Sequence, residues 1–194
     1  MDGKLKAYFR ENDYLRNGVA ERLGFSRAAL SGMVAQGELR RVAQGVYALP
    51  DSLTDELAVI AGRSPNVVFS HETALALHKL HNRIPAKQTI TVPQGCNAPR
   101  SIAASVKVYR VRPECHGIGK SEALTFMGHW VPCYDPERTV CDIIRSYSRM
   151  DVETYSNALR TYAGSRKRDL PRLMEYARAL GIEKKVRKAI EVLV

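Results

Sequence analysis

The feature that most constrains this chain is the punctuation of its first fifty residues. Apolar residues at helical spacing stop at Gly24, resume after Ser26 and stop again at Gly37. They give way to an alternating run, LRRVAQGVYAL, that reverses at Gln44-Gly45 and ends at Pro50. Lys4 to Glu11 reads as a short helix with Leu5, Tyr8 and Phe9 on one face. Asn12 or Asp13 can cap a second helix, Tyr14 to Leu23, with Leu15, Val19 and Leu23 inward. Ser26 caps a third, Arg27 to Gln36, whose inner stripe is Leu30, Met33 and Val34, and Gly37 suits the left-handed position that closes it. Leu39 to Leu49 then reads as a hairpin. Helix, helix, sharp turn, helix, two-stranded hairpin is the order of a winged helix-turn-helix.

That order gives particular side chains a reason to be where they are. A recognition helix packs one face on its neighbour and offers the other to the major groove. The offered positions here are Arg27, Ala28, Ser31, Gly32, Ala35 and Gln36. Small residues at 28, 31 and 32 allow close approach. Arg27 can reach a guanine edge or a phosphate, and Ser31 and Gln36 can hydrogen-bond either. In a wing, Arg40, Arg41 and the turn residue Gln44 meet the backbone or minor groove. Adjacent strand residues face opposite ways, so an ideal strand lets one of the two arginines read DNA. The same arginines on a plain surface loop would serve solubility alone.

Net charge agrees with a polyanionic partner. The 194 residues carry a formal +10, with +3 in residues 1–50 and +4 in residues 151–194. Each cation placed on a phosphate releases a counterion, so such a surface favours nucleic acid. The start has no apolar signal core and no run of about 18 apolar residues occurs. A cytoplasmic location is expected. Cys96, Cys115, Cys133 and Cys141 form no C-x-x-C pair, so free thiols in a reducing compartment are expected and no metal site.

The fold class implied is α+β: a winged domain over 1–50, then a second domain over 51–194 with a mixed part, 51–134, and a helical part, 135–194. After Pro50, a linker leads to a helix ending near Ala61. Strands are expected at Val67–Phe69, Gln88–Val92, Ser105–Val111, Ala123–Met127 and Trp130–Tyr134. Ser70, with Glu72 and Thr73, reads as an ordinary cap for a helix through Leu80. Further helices are expected from Pro136 to Arg149, Val152 to Ala163, Leu170 to Leu180 and Lys184 to Leu193. His71 and His78, seven apart, would share a helix face with His81 just beyond. With no acidic or thiol partner nearby in sequence, they read as buried or hydrogen-bonded rather than metal-binding. Arg166, Lys167 and Arg168 form one basic cluster, and Lys184, Lys185, Arg187 and Lys188 another. These are a solvated face or a second electropositive surface that extends a DNA footprint or meets a partner.

The stretch LRRVAQGVYALP, followed by SHETALALHKL and then ITVP, resembles the AbiEi antitoxin family of type IV, abortive-infection toxin–antitoxin systems. The positions carrying the resemblance are Gly37, Leu39, Arg41, Val42, Gly45, Val46, Tyr47, Leu49 and Pro50, then Ser70, His71, Ala74, Leu75, Leu77, His78 and Leu80. It is strongest over residues 14–92, and related winged-helix proteins share its early block. It implies a transcriptional repressor whose winged helix binds inverted repeats in its own promoter. A C-terminal domain would contribute to repression and to neutralising a nucleotidyltransferase-type toxin. Gln44 departs from the family's frequent basic wing-tip residue and weakens a wing-tip phosphate contact.

Two other readings stay open. One is a non-catalytic adaptor with a degenerate winged helix. The other is a restriction-like nuclease, which needs metal-binding carboxylates and a Glu-x-Lys on a strand. Glu183-Lys184-Lys185 matches that formally, yet it opens a predicted helix, and no triad or glycine-rich phosphate loop is recoverable. No enzymatic activity and no cofactor are therefore expected. With no long apolar seam, a monomer in solution is expected.

Overall fold

The computed structural model describes residues 2–191 and divides into two compact units at Val59/Ile60. In the first, α1 (Gly3–Phe9) is capped by Asp2, and β1 (Leu15–Arg16) precedes α2 (Asn17–Arg22). Next come α3 (Arg27–Ala35), β2 (Arg40–Ala43) and β3 (Val46–Ala48). The three strands form a small sheet, β1-β3-β2, antiparallel throughout. Leu5, Leu15, Ala20, Leu30, Leu39 and Tyr47 are its buried core, flanked by half-buried Val19, Leu23, Met33 and Val34.

One expectation needs correction here. Tyr14 to Arg16 is not helical, because Leu15 and Arg16 pair with Tyr47 and Val46 instead. A strand pairing across 30 residues outweighs weak local periodicity. Past the hairpin, the first compact unit runs on to Val59. Arg40 Nη2 donates to Ser52 O at 2.7 Å and to Thr54 Oγ1 at 2.6 Å, and the Asp55 amide donates to the Tyr14 hydroxyl. Those bonds tie 51–55 to the hairpin. The helix α4 (Glu56–Ala61) follows.

The second unit holds a five-stranded mixed sheet in the order β6-β5-β4-β8-β7. Its strands are β4 (Val68–Phe69), β5 (Gln88–Pro93), β6 (Val106–Val111), β7 (Lys120–Leu124) and β8 (Trp130–Tyr134). The pairs β4–β8 and β5–β6 are parallel, while β4–β5 and β7–β8 are antiparallel. β7 begins earlier than expected, because Thr125–His129 is taken up by the turn at Gly128. The helices are α5 (His71–Leu77), α6 (Pro113–His116), α7 (Pro136–Arg145), α8 (Val152–Gly164), α9 (Leu170–Ala179) and α10 (Glu183–Glu191). The rest of the expected Lys184–Leu193 range lies outside the described residues.

α7 is the axis of this unit. Asp135 accepts from the Arg138 amide as N-cap, Pro136 opens the helix, and Glu137 through Ile144 are all buried. It stops at Arg145, with one 3₁₀ turn, Tyr147–Arg149, beyond it. Val140, Ile143 and Ile144 pack with Leu159, Tyr162, Leu173, Ala177 and Val186 of the later helices. Arg138, fully buried, donates to Asp142 Oδ2 at 3.2 Å and to the carbonyls of Cys115 and Ile118 at 2.8 and 2.6 Å. Its guanidinium also lies 4.1 Å from the centroid of the Tyr134 ring. Gly119, at φ +68, supplies the room: a Cβ there would come within 2.4 Å of the Arg138 Cβ.

Candidate nucleic-acid interface

α3 presents the face expected of it. Ser26 Oγ accepts from the Ala29 amide at 3.1 Å, fixing the first turn. Leu30 is buried, whereas Arg27, Ala28, Ser31, Ala35 and Gln36 are exposed and Gly32 is half-exposed. Arg27 lies 3.5 Å from Glu21 across an open surface. An exposed pair of that kind is worth little and yields readily to a phosphate.

The wing is braced at its tip. Gly45 adopts φ +71, and its carbonyl accepts from the Asn17 amide at 3.0 Å. A Cβ on Gly45 would stand 2.8 Å from Asn17 Nδ2, so the first turn of α2 sits directly against the wing turn. The strand register skips between Arg41 and Ala43, leaving a bulge at Val42. Arg40 pairs with Ala48 and Arg41 with Tyr47.

The two wing arginines therefore part company. Arg40 spends its guanidinium on Ser52 and Thr54, while Arg41 is exposed and makes no hydrogen bond or ion pair among the described residues. Gln44 is exposed at the turn. Arg16 is a cation the sequence reading missed: exposed on β1, opposite Val46, it adds charge to the same sheet. The cue was Asn17-Gly18, since glycine in a helix interior costs about 1 kcal/mol and better fits a helix start.

The C-terminal cations do not form one surface. Arg168 folds back onto the carbonyls of Ala163 and Ser165. Arg187 pairs with Glu183 at 3.0 Å, a carboxylate it shares with Arg178. Arg166, Lys167 and Lys184 are exposed, and Lys185 and Lys188 line a separate cavity.

The histidines are structural. His71 opens α5 at φ +46, fully buried. Its Nδ1 meets Ser70 Oγ at 3.0 Å, its Nε2 meets Ser146 Oγ at 3.1 Å, and its ring stacks on Tyr109 at 3.4 Å. Ser70 is thus no ordinary cap. Its hydroxyl accepts from Thr91, and the Thr73 amide is satisfied by Thr89 Oγ1 from the neighbouring strand. Glu72 instead pairs with Lys107 at 2.9 Å. His78 lies past the end of α5 and meets Tyr134 O at 2.6 Å, while His81 Nδ1 accepts from the Arg83 amide, so the three do not converge. Among the described residues no group of His, Cys, Asp or Glu is arranged to hold a metal, and the four cysteines are free. No helix among them is long and apolar enough to cross a membrane.

With an exposed α3 face beside a three-stranded wing, comparison with known proteins becomes informative. Residues 4–50 match the family model "Transcriptional regulator, AbiEi antitoxin". The AbiEi match spans α1 through the wing and ends at Pro50, bearing out the resemblance read from the sequence. Over those residues the chain is similar to transcriptional regulators of the AbiEi antitoxin type. In fold, the chain is similar to the RV2827C protein from Mycobacterium tuberculosis, known from a crystal structure. That likeness has a TM-score of 0.58 at 14% identity and covers 96% of this chain and 79% of the other. So low an identity speaks for the fold alone. No curated protein matches the chain in sequence.

Proposed function

We propose that the protein is an autorepressing antitoxin. Its winged helix binds inverted repeats of double-stranded DNA in its own promoter, and it counteracts a nucleotidyltransferase-type toxin without catalysis of its own. The observation that carries this is the pairing of a polar, small-residue α3 face with an unpartnered Arg41 on a braced wing. In this reading α3 enters the major groove, where Ala28, Ser31 and Gly32 allow close approach and Arg27, Ser31 and Gln36 supply donors. Arg41, Arg16 and Gln44 meet the flanking backbone, which fixes the register without reading sequence. Arg40 orders the segment that follows the wing. The protein would act as a cytoplasmic monomer, one copy per repeat, giving abortive infection and phage resistance through its toxin partner.

The test is a gel shift and footprint on the DNA immediately upstream of the gene, at two salt concentrations. Protection of paired repeats with affinity falling steeply in salt supports repression. Rescue of growth on co-expression with the neighbouring gene supports antitoxicity. Salt-insensitive or absent binding sinks the DNA reading and favours an adaptor. One observation speaks for that second reading: the β7–β8 tip exposes Leu124, Phe126, Met127 and Trp130 together.

A further inference from the structure

Within the second unit, the end of α7, the 3₁₀ turn, α8 and α10 enclose an open cavity of about 780 Å³. Ile144, Leu159 and Ala189 form an apolar floor. Four cations line it from three elements: Arg145, Arg160, Lys185 and Lys188. Among the described residues, none that lines it is acidic. Tyr147 and Tyr155 stand edge to face on the rim, 4.7 Å apart, and Ser148 and Ser156 add hydroxyls.

Elsewhere on the later helices, Arg172 and Arg178 of α9 pair with Asp169 and Glu183, and Arg187 of α10 also pairs with Glu183. Of the four in the cavity, Arg145 alone has a carboxylate, the buried Asp142 at 2.8 Å, which aims its guanidinium. Arg160, Lys185 and Lys188 have no ion pair among the described residues. Spacing of i, i+3 between Lys185 and Lys188, and of i, i+4 between Ser156 and Arg160, puts each pair on one helix face. Four cations on one concave surface give it a positive potential that favours an anionic ligand.

We infer that this cavity binds a nucleotide, its phosphates on Arg160, Lys185, Lys188 and Arg145 and its base on the tyrosine pair over the apolar floor. Arginine and lysine are the usual phosphate donors, and aromatic rings accept any base face. The volume lies in the range of small-ligand sites, and a concave pocket does not fit the convex backbone of duplex DNA. An acidic peptide would satisfy the cations and leave the tyrosines and the apolar floor without a role. The nucleotide is either free or the end of a single strand.

The test is fluorescence titration of the full chain with mant-ADP and mant-GDP. Competitors are unlabelled nucleotide, the matching nucleoside, inorganic phosphate and a short 5′-phosphorylated single-stranded oligonucleotide. Saturable binding is expected, displaced by unlabelled nucleotide and not by equal inorganic phosphate. Lys188→Glu and Arg160→Glu, both at exposed positions, should each weaken it about tenfold or more, the scale of one lost charge-assisted phosphate contact. Tyr147→Ala should weaken nucleotide binding and leave thermal melting unchanged, and Lys185→Gln with Lys188→Gln replaces any variant that fails to fold. Arg41→Ala should not alter it, which separates this site from the wing. Stronger competition by the oligonucleotide, with the same variant sensitivity, would make a single strand the source. Absence of saturable binding, full binding in Lys188→Glu, or equal displacement by inorganic phosphate would overturn the assignment.

Discussion

The two units handle polar groups in opposite ways. The first packs an apolar core around Leu5, Leu15, Leu30 and Tyr47, with Asp55 its one buried charge among the described residues, and puts its arginines outside, where Arg16, Arg27 and Arg41 face solvent. The second buries Arg138, Asp142, Glu137 and His71 around α7: Asp142 is held by Arg138 and Arg145 of the same helix, while Arg138, Glu137 and His71 also reach partners far off in sequence. An outward charge is cheap to hold and free to meet a ligand. A buried one needs partners inside the protein and is committed to the fold. The difference teaches where to seek function in each: on the open surface of the first unit, and in the second where unpaired cations line one cavity.

The largest effect should come from breaking a buried pair. Arg138→Ala leaves Asp142 with Arg145 alone and strips the carbonyls of Cys115 and Ile118. Loss of one member of a buried ion pair costs about 3–5 kcal/mol. Urea unfolding followed by the emission of Trp130, the chain's single tryptophan and a residue of the second unit, should show a clearly lower midpoint. An unchanged midpoint would mean that α7 is not the axis described. The matching break in the first unit is milder. Gly45→Ala forces a Cβ into Asn17 at positive φ, for about 1–2 kcal/mol. It should loosen DNA binding while the Trp130 transition stays put.

The same contrast decides what could be read beforehand. The wing was legible because its cues are local: Ser26 caps α3, Gly37 ends it, and Gln44-Gly45 turns the hairpin. β1 was not, because Leu15 becomes a strand only by pairing with Tyr47. In the second unit, element types were legible from Pro136, Gly164 and Gly181, but the polar wiring was not. Ser70-His71-Glu72-Thr73 has the composition of a cap, and nothing local shows that Thr89, Thr91 and Ser146 claim those groups. Arg41 could be chosen over Arg40 only once the bulge and the Ser52–Thr54 contacts were seen. Likewise, the charges of the basic C-terminus were visible, but their division between paired surface and cavity required helix packing.

His71 gives a pH-dependent version of the comparison. Burial above all, then the nearby charges of Arg145, Lys107, Arg138 and Arg149, holds its pKa well below its ordinary value of 6.5. The unfolded chain therefore takes up a proton that the folded chain refuses. Stability is present in full above pH 6.5 and falls as pH drops below it, by up to about 1.4 kcal/mol per pH unit for one group. His116, lowered mainly by burial, adds to the slope. His71→Asn, which tolerates the left-handed backbone, should remove the His71 share and leave the rest. Melting at pH 7 and pH 5 measures both slopes, and identical slopes would show that His71 is not held neutral.

The smallest and most discriminating effect concerns Arg40 and Arg41. Both are exposed, adjacent and alike in charge, so a purely electrostatic wing predicts the same loss from either. The structure predicts a split. Arg41→Ala removes a free cation and should lower operator affinity about three- to tenfold, reducing the salt slope by about one, with stability unchanged. Arg40→Ala removes the bonds to Ser52 and Thr54, so it should act on stability, by about 1 kcal/mol at an exposed site. Its direct effect on the salt slope should be near zero, because its guanidinium is already spent within the chain. Gel shifts at two salt concentrations, set beside thermal melts of both variants, measure the split. Equal salt slopes for the two would mean that Arg40 releases its internal partners on DNA, and the wing would then act through summed charge rather than through one placed arginine.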